Sequence, residues 1–347
     1  MSTQVTPRKQ PQIPAYGFLG RLKPEFPSQI NVDLTEVCNL ACIHCPHPEF
    51  KKSEHYGARY LSPGWNTKMV DEVREYGAGA AQYIRYTGEG EPLIHPDGYE
   101  MIEYAVRRSG VYVTLTTNGT IMNEKRTRRL LEAGVHMIDI SIDAHSPETY
   151  ARIRVNGNLN VTRANVLRLL EWIRTSRAPT KVVVSFVEQE LNKHETASFD
   201  KFWKEQGANF VVIRRLHSAA GAVIRVADLM RTANRRIERR PCVYPWERII
   251  LNPRGLAFCP ADWTHGAFIA DYGAATIRET WNSEFYRALR AAHLENDFAK
   301  HGFCGQCPDW AATRWPSEGR AYADLIEEFQ SPEGLPAGPE KARPAST

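Results

Sequence analysis

The chain has 347 residues, of which 42% are hydrophobic, 24% charged and 10% aromatic, as in a globular protein with a sizeable core. It has no apolar run near the roughly 20 residues that a membrane span needs, and its first residues contain no apolar signal region. The net charge of +4 is too small to indicate nucleic-acid binding, so we expect a cytoplasmic protein that contacts neither membrane nor nucleic acid.

Short apolar runs alternate with amphipathic stretches between residues 29 and 216. The runs are rich in Val, Ile, Tyr and Thr, which is typical of buried parallel strands, and the stretches place apolar residues three and four positions apart, as helices do. This order predicts an α/β fold with a parallel sheet, and six strands rather than eight favour an open, partial (β/α)6 TIM-like barrel. The predicted strands are Ile30–Leu34, Tyr83–Thr87, Val111–Thr116, Met137–Ile142, Val182–Val187 and Phe210–Ile213, and the predicted helices are Pro63–Tyr76, Asp97–Arg108, Asn123–Ala133, Val161–Ser176 and His194–Gln206.

The pattern changes after Leu216. Residues 218–240 contain six arginines, which fits either a solvated linker helix or a bridge that brings guanidinium groups towards an anionic substrate. The apolar runs Glu247–Leu251 and Leu256–Cys259 flank an Asn-Pro-Arg-Gly turn and predict a hairpin, and Ile277–His293 predicts one amphipathic helix. The predicted division is an N-terminal extension (1–28), the partial barrel (29–217), a basic bridge (218–240), a small C-terminal domain (241–330) and a disordered tail (331–347).

The seven cysteines form two groups, three within eight residues and four far downstream. A cytosolic compartment keeps thiols reduced, so this distribution indicates metal ligands rather than disulfides. The first group, Cys38, Cys42 and Cys45, has the spacing C-x3-C-x2-C and directly follows the first predicted strand. Thiolates select zinc or iron–sulfur clusters, and a zinc site would take a fourth ligand from His44 or His47. The strand-end position, where α/β folds place active sites, favours instead a cluster with one iron left open.

This cysteine loop resembles that of the radical S-adenosylmethionine superfamily. Three further motifs follow at successive strand ends and strengthen the resemblance, namely TGEGEP (87–92), TTNGT (116–120) and SIDA (141–144). The resemblance implies a [4Fe–4S] cluster on the three cysteines and S-adenosylmethionine as cofactor, cleaved to a radical that abstracts hydrogen from the substrate. It also implies an electron donor such as flavodoxin or ferredoxin.

The same resemblance implies which residues contact S-adenosylmethionine. His44 stands where family members often carry an aromatic residue, which leaves the adenine contact open. Arg152 is an alternative to Arg154 as partner of the ligand carboxylate, and Ser185 and Glu188 have weaker support. The implied contacts are Gly88, Glu89, Gly90, Glu91, Asn118, Ser141, Asp143 and Arg154.

The second group comprises Cys242, Cys259, Cys304 and Cys307. A zinc ribbon is one interpretation. The flanking sequence resembles the SPASM/twitch extension of radical S-adenosylmethionine enzymes, and the spacing is similar to that of 2-deoxy-scyllo-inosamine dehydrogenase but not to the three-cysteine pattern of the molybdenum-cofactor GTP cyclase. The resemblance implies a twitch-type domain with a second [4Fe–4S] cluster, whose four protein ligands suit electron transfer.

The combined motifs predict an oxidoreductase that removes hydrogen from a C–H bond of a small, polar, sugar- or cyclitol-like metabolite in natural-product biosynthesis. Modification of a ribosomal peptide is an alternative, disfavoured because only 28 residues precede the first domain. A radical epimerase is a second alternative, and a non-enzymatic iron–sulfur or zinc protein a third. The position of Asp262, just past Cys259, suggests that it faces the active-site cavity, but no residue stands out as the catalytic base.

Overall fold

The computed structural model describes residues 16–316 and 322–330. The predicted disordered tail (331–347) and the first 15 residues of the predicted N-terminal extension lie outside the described residues.

Six parallel strands, β1 to β6, form the expected partial barrel, each paired with the next in chain order. Strand β7 then pairs parallel with β1 on the side opposite β2, and β8 and β9 add antiparallel edges. The predicted hairpin therefore continues the barrel sheet, in the order β6-β5-β4-β3-β2-β1-β7-β8-β9. The strands are β1 Gln29–Val32, β2 Tyr83–Tyr86, β3 Tyr112–Thr117, β4 Met137–Ser141, β5 Lys181–Glu188, β6 Phe210–Arg215, β7 Arg248–Asn252, β8 Gly255–Ala257 and β9 Phe268–Ala270.

The five helices predicted within the barrel are present, with ends shifted by no more than two residues. The single helix predicted over Ile277–His293 is wrong, because the chain forms two helices separated at Asn282 and Ser283. The Ser283 side chain accepts a hydrogen bond from the Tyr286 backbone N–H at 3.4 Å and so begins a new helix. The helices are α1 His47–Phe50, α2 Pro63–Tyr76, α3 Gly98–Arg108, α4 Glu124–Ala133, α5 Pro147–Ile153, α6 Leu159–Ser176, α7 Thr196–Glu205, α8 Ile224–Asn234, α9 Tyr244–Glu247, α10 Ile277–Trp281, α11 Glu284–Glu295, α12 Gly302–Gln306 and α13 Tyr322–Gln330.

The two faces of the sheet have different partners. Apolar side chains of one face, such as Ile84, Ile138 and Val184, join the large core formed with the helices that connect the strands. On the other, inner face, the first residues of the strands pack against α13 instead. We call this contact the barrel plug; its buried members are Tyr83, Tyr112, Met137, Val183, Ala323 and Ile326.

The barrel plug closes the amino-terminal end of the inner face and leaves the carboxyl ends of the strands uncovered by α13.

No helix within residues 16–316 and 322–330 is both long and apolar enough to span a membrane.

The plug should contribute measurably to stability. Ile326 is 1% exposed, and replacing it with Ala should lower the free energy of unfolding by about 2–5 kcal/mol because it leaves a cavity. Ile224 is 71% exposed, so Ile224→Ala is the matched control and should change that free energy by no more than about 0.5 kcal/mol. Urea unfolding of the purified variants measures both, and equal effects would contradict this packing.

Candidate functional site

The predicted motifs gather at the carboxyl ends of β1 to β4. The cysteine loop (38–45) follows β1, TGEGEP follows β2, TTNGT begins within β3, and SIDA begins at the end of β4. These strands are neighbours in one parallel sheet, so their carboxyl ends share one edge. The structure therefore brings the four motifs to one side of the barrel.

The cysteine loop is held by backbone hydrogen bonds to the segment after α5. Ala41 N–H donates to the Val155 carbonyl and Ile43 N–H to the Ile153 carbonyl, both at 3.0 Å. The three thiols consequently lie within electrostatic reach of one another. Burial raises the pKa of Cys45 to about 12, and the neighbouring Cys42 and Cys38 add to the rise. Three thiolates this close require a cationic partner, which an iron–sulfur cluster provides.

The two histidines near the loop do not favour a zinc site. His47 Nε2 lies 2.8 Å from the carbonyl oxygen of Glu36, and His44 Nε2 lies 3.5 Å from Asp143 Oδ2. Within residues 16–316 and 322–330, no three His, Cys, Asp or Glu side chains converge on the position of a single metal ion. The His47 and His44 nitrogens named here already have protein partners, so they are less available as the fourth ligand of a zinc ion.

Glu91 joins the cysteine loop to β2 and β3. Its backbone N–H donates to the Val37 carbonyl at 2.9 Å, directly before Cys38. Its buried carboxylate accepts hydrogen bonds from the Thr117 hydroxyl and the Asn118 backbone N–H, both at 2.7 Å. Burial raises the pKa of Glu91. Glu91 therefore positions the loop, and its carboxylate is occupied by protein donors.

Asn118 continues this connection through a residue that sequence reasoning missed. Its Nδ2 donates to Asn39 Oδ1 at 2.9 Å, and Asn39 lies between the first two cysteines. Asn39 Nδ2 in turn donates to Thr120 Oγ1 at 2.8 Å. The only signal available in the sequence was the position of Asn39 inside the cysteine motif.

Gly88 and Gly90 allow close approach of the chain at this edge. A Cβ atom at Gly90 would collide with the carbonyl oxygens of Thr35 and Val37, and one at Gly88 would collide with the Asp33 carboxylate. Both glycines are therefore required by packing against the segment that leads into the cysteine loop.

Asp143 and Arg154 form a buried pair beside the loop. Asp143 is 0% exposed; its Oδ2 accepts a hydrogen bond from Arg154 Nε at 2.8 Å, and its Oδ1 accepts one from the Val187 backbone N–H at 2.6 Å. Arg154 also lowers the pKa of Cys42, which burial otherwise raises. Arg152 is exposed, so Arg154 is the arginine that lies at the site.

Among the described residues, the remaining predicted contacts of the fourth and fifth strands form no hydrogen bond or ion pair with Asp143 or Arg154. Ser141 is half-buried at the end of β4, in register with Ser185. Ser185 donates to Asp139 Oδ1 at 2.5 Å on the inner face, and the exposed Glu188 accepts from the Thr196 hydroxyl at 2.9 Å.

Glu89 faces the C-terminal hairpin. Its Oε1 lies 3.1 Å from Arg254 Nη2, and Arg254 Nη1 lies 3.1 Å from Glu36 Oε1. Burial raises the pKa of Glu89 to about 7, and it also raises the pKa of Asp33, which accepts the Glu89 backbone N–H at 2.8 Å. The role of Arg254 beyond the turn was not predicted from the sequence, although its charge inside an Asn-Pro-Arg-Gly turn was a usable signal.

The four downstream cysteines also come together. None of the seven cysteines forms a disulfide, and burial raises the pKa of Cys259 strongly, with Cys307, Cys242 and Cys304 adding to the rise. Arg239 from the basic bridge donates to the carbonyl oxygens of Cys304 at 2.6 Å and Gly305 at 3.0 Å. This donor set fits a fully ligated cluster with a guanidinium beside it.

The bridge arginines Arg239 and Arg240, and Asp262, contact the protein backbone, whereas the sequence suggested that they face a substrate. Arg239 and Arg240 donate to backbone carbonyls between residues 304 and 313, so these two bridge arginines hold the cysteine segment. Asp262 is buried, and its carboxylate accepts hydrogen bonds from the backbone N–H groups of Gly266 at 2.9 Å and Ala267 at 2.8 Å. These hydrogen bonds stabilise the turn that follows Asp262.

Comparison with known families agrees with the strand-end motifs. Residues 32–197 match the Radical SAM superfamily. This chain contains a radical SAM domain. The family implies a [4Fe–4S] cluster and S-adenosylmethionine, and the three thiols of the cysteine loop fit the open-iron cluster by their number, type and proximity.

Curated relatives resemble about half of the chain. A probable GTP 3',8-cyclase of Methanococcus maripaludis is 29% identical over 182 residues, covering 52% of this chain and 57% of the relative. The AdoMet-dependent heme synthase of Methanosarcina barkeri is 33% identical over 183 residues, covering 52% and 48%. The match thus spans about half the length of these relatives.

Solved structures share the fold over more of the chain. BtrN in complex with AdoMet and 2-DOIA has a TM-score of 0.53 at 16% identity, covering 81% of this chain and 92% of that chain. Streptococcus suis SuiB bound to precursor peptide SuiA has a TM-score of 0.60 at 13% identity, covering 89% and 74%. At these identities the likeness concerns the fold alone.

The Gly90 contact yields a direct test of the loop. Gly90→Ala should displace the segment before Cys38 and lower the amount of iron bound per chain, because the cysteine loop no longer holds its three thiols together. Gly64→Ala is the matched control, because its added methyl group meets only Ser62 Oγ, at 3.5 Å. Iron analysis of anaerobically reconstituted protein measures both, and unchanged iron in Gly90→Ala would contradict the proposed role of this contact.

Proposed function

We propose that this protein is a radical SAM oxidoreductase that oxidises a C–H bond of a small polar metabolite. The observation that carries the proposal is the presence of two separate sets of cysteine thiols beside one continuous sheet. Three thiols lie at the end of β1, and four more lie around the β7–β8 hairpin and α12. A three-thiolate site leaves an open iron for a ligand, whereas a four-thiolate site does not.

The chain's own residues position the first site. Glu91, Asn118 and Asn39 fix the cysteine loop against β3, and Asp143 holds Arg154 beside Cys42. When bound, the first cluster and S-adenosylmethionine supply the radical that removes hydrogen from the substrate. Gly88, Glu89, Gly90, Glu91, Asn118, Ser141, Asp143 and Arg154 remain our proposed surroundings of S-adenosylmethionine.

The second set of cysteines favours oxidation over other radical outcomes. Loss of one hydrogen atom from a carbinol carbon leaves a substrate radical that must give up one electron and one proton to become a carbonyl. A second [4Fe–4S] cluster with four protein thiolates would supply the one-electron acceptor. All seven cysteines are then engaged, so none is left to donate hydrogen in an epimerisation.

The names of the similar proteins point to several chemistries. BtrN is seen with 2-DOIA, SuiB with a precursor peptide, and the curated relatives are named as a GTP 3',8-cyclase and a heme synthase. Modification of a ribosomal peptide is therefore the second candidate function, supported by the fold likeness to SuiB.

The two candidate functions are separated by mass spectrometry after reaction with S-adenosylmethionine and dithionite. A loss of two hydrogens from a small molecule supports our proposal, and a change confined to a peptide contradicts it.

Cysteine variants test the two-cluster assignment. Cys38→Ala should abolish 5′-deoxyadenosine formation, because the first cluster loses one of its three thiolates. Cys304→Ala should lower the iron content from about eight to about four per chain while cleavage of S-adenosylmethionine partly survives. Iron analysis and chromatography of 5′-deoxyadenosine measure these outcomes, and about four irons in the unchanged protein would refute the second cluster.

A further inference from the structure

A charged layer lies on the inner face of the barrel between the barrel plug and the strand ends. Side chains alternate between the two faces of a strand, so Arg85 shares the inner face with Tyr83, and Asp139 shares it with Met137. Tyr83 and Met137 both belong to the barrel plug. We call this group the inner charged layer; its members are Arg85, Thr116, Asp139, Ser185 and Arg214.

Two guanidinium groups in this layer share one carboxylate. Asp139 is 0% exposed, and its Oδ2 lies 2.8 Å from Arg214 Nη2 and 3.4 Å from Arg85 Nη2. Its Oδ1 accepts the Ser185 hydroxyl at 2.5 Å. Within residues 16–316 and 322–330, neither guanidinium has a second carboxylate within 4.0 Å. The layer therefore carries an excess of one positive charge.

The two arginines are held in place yet partly accessible. The Arg85 guanidinium stacks 3.8 Å above the Tyr322 ring centroid and donates through Nε to Thr116 Oγ1 at 3.1 Å. Arg214 donates through Nε to Ser185 Oγ at 3.3 Å. Their side chains are 16% and 31% exposed, and among the described residues Nη1 of each donates no hydrogen bond. Each therefore keeps a donor for a ligand.

We propose that Arg85 and Arg214 bind an anionic group, a carboxylate or a phosphate, of the substrate. This inference rests on the proposed function and names its substrate class. A partly buried, unneutralised guanidinium favours an anion because the low local dielectric strengthens the attraction, and the planar fork matches both oxyanions.

The position of the layer also limits the size of the substrate. Asp139 precedes Ser141 by two residues of β4, about 7 Å along the strand. The anionic group thus lies roughly that distance below the edge where the cysteine loop sits. A compact anionic metabolite spans this gap with its reacting carbon at the strand ends.

Isothermal titration of the anaerobic holoenzyme, loaded with S-adenosylmethionine, tests the site without turnover. The probes are inorganic phosphate, acetate, glucose 6-phosphate, gluconate and glucose. We expect phosphate or acetate to bind, and glucose 6-phosphate or gluconate to bind as well. Glucose, which has no charge, should bind at least about tenfold more weakly. Tighter binding of the phosphates or of the carboxylates identifies which oxyanion the site prefers.

Arg214→Gln and Arg85→Gln should each weaken anion binding at least about tenfold, because each removes a charged hydrogen bond. Arg215→Gln is the matched control, since Arg215 follows Arg214 on β6 and is exposed. Arg85→Gln leaves the Asp139–Arg214 ion pair intact, so it carries the test if Arg214→Gln fails to fold.

Three results would overturn the inference. These are no anion binding by the unchanged protein, equal loss in Arg215→Gln, or loss of S-adenosylmethionine binding in Arg214→Gln, which would assign the arginine to the cofactor carboxylate. Oxidation of a neutral sugar without anion binding removes the anion site but leaves the proposed function standing. Arginine-dependent anion binding without loss of two hydrogens from any anionic metabolite removes the proposed function instead.

Discussion

The buried carboxylate of Glu91 is the constraint on which the site depends. It accepts hydrogen bonds from the end of β3, while its backbone N–H is bonded to the segment that leads into the cysteine loop. A buried carboxylate is stable only when such donors are present, so the three segments must come together as a unit. The geometry of the three thiols follows from that arrangement, and the barrel supplies the strand ends that make it available.

The second group of cysteines depends on the same sheet. Strand β7 pairs with β1, so the hairpin that follows it is attached directly to the strand that carries the cysteine loop. Arg254 at the hairpin turn adds ion pairs with Glu36 and Glu89. The two sets of cysteines are thus linked in two ways, by the sheet hydrogen bonds and by the ion pairs at the strand ends.

Periodicity and spacing predicted the six barrel strands, their helices and the strand-end motifs, because these depend on local apolar patterns and short segments. The break at Ser283 was missed because the apolar face continues through it, and only the cap hydrogen bond to Ser283 marks the start of the second helix. Arg85 and Arg214 were missed for another reason. Their shared partner, Asp139, lies on a different strand, and no local pattern reports a contact between distant segments. The roles of Asn39 and Arg254 are likewise long-range, as is the contact of α13 with the barrel.

The position of α13 has a consequence for biosynthesis. The amino-terminal base of the barrel is completed by residues that are translated long after β6. Until those residues have left the ribosome, the inner face of the nascent sheet exposes Tyr83, Tyr112 and Met137 to solvent. A barrel that folds during synthesis therefore does so with an open, apolar base, the kind of exposed surface that makes folding intermediates prone to aggregate.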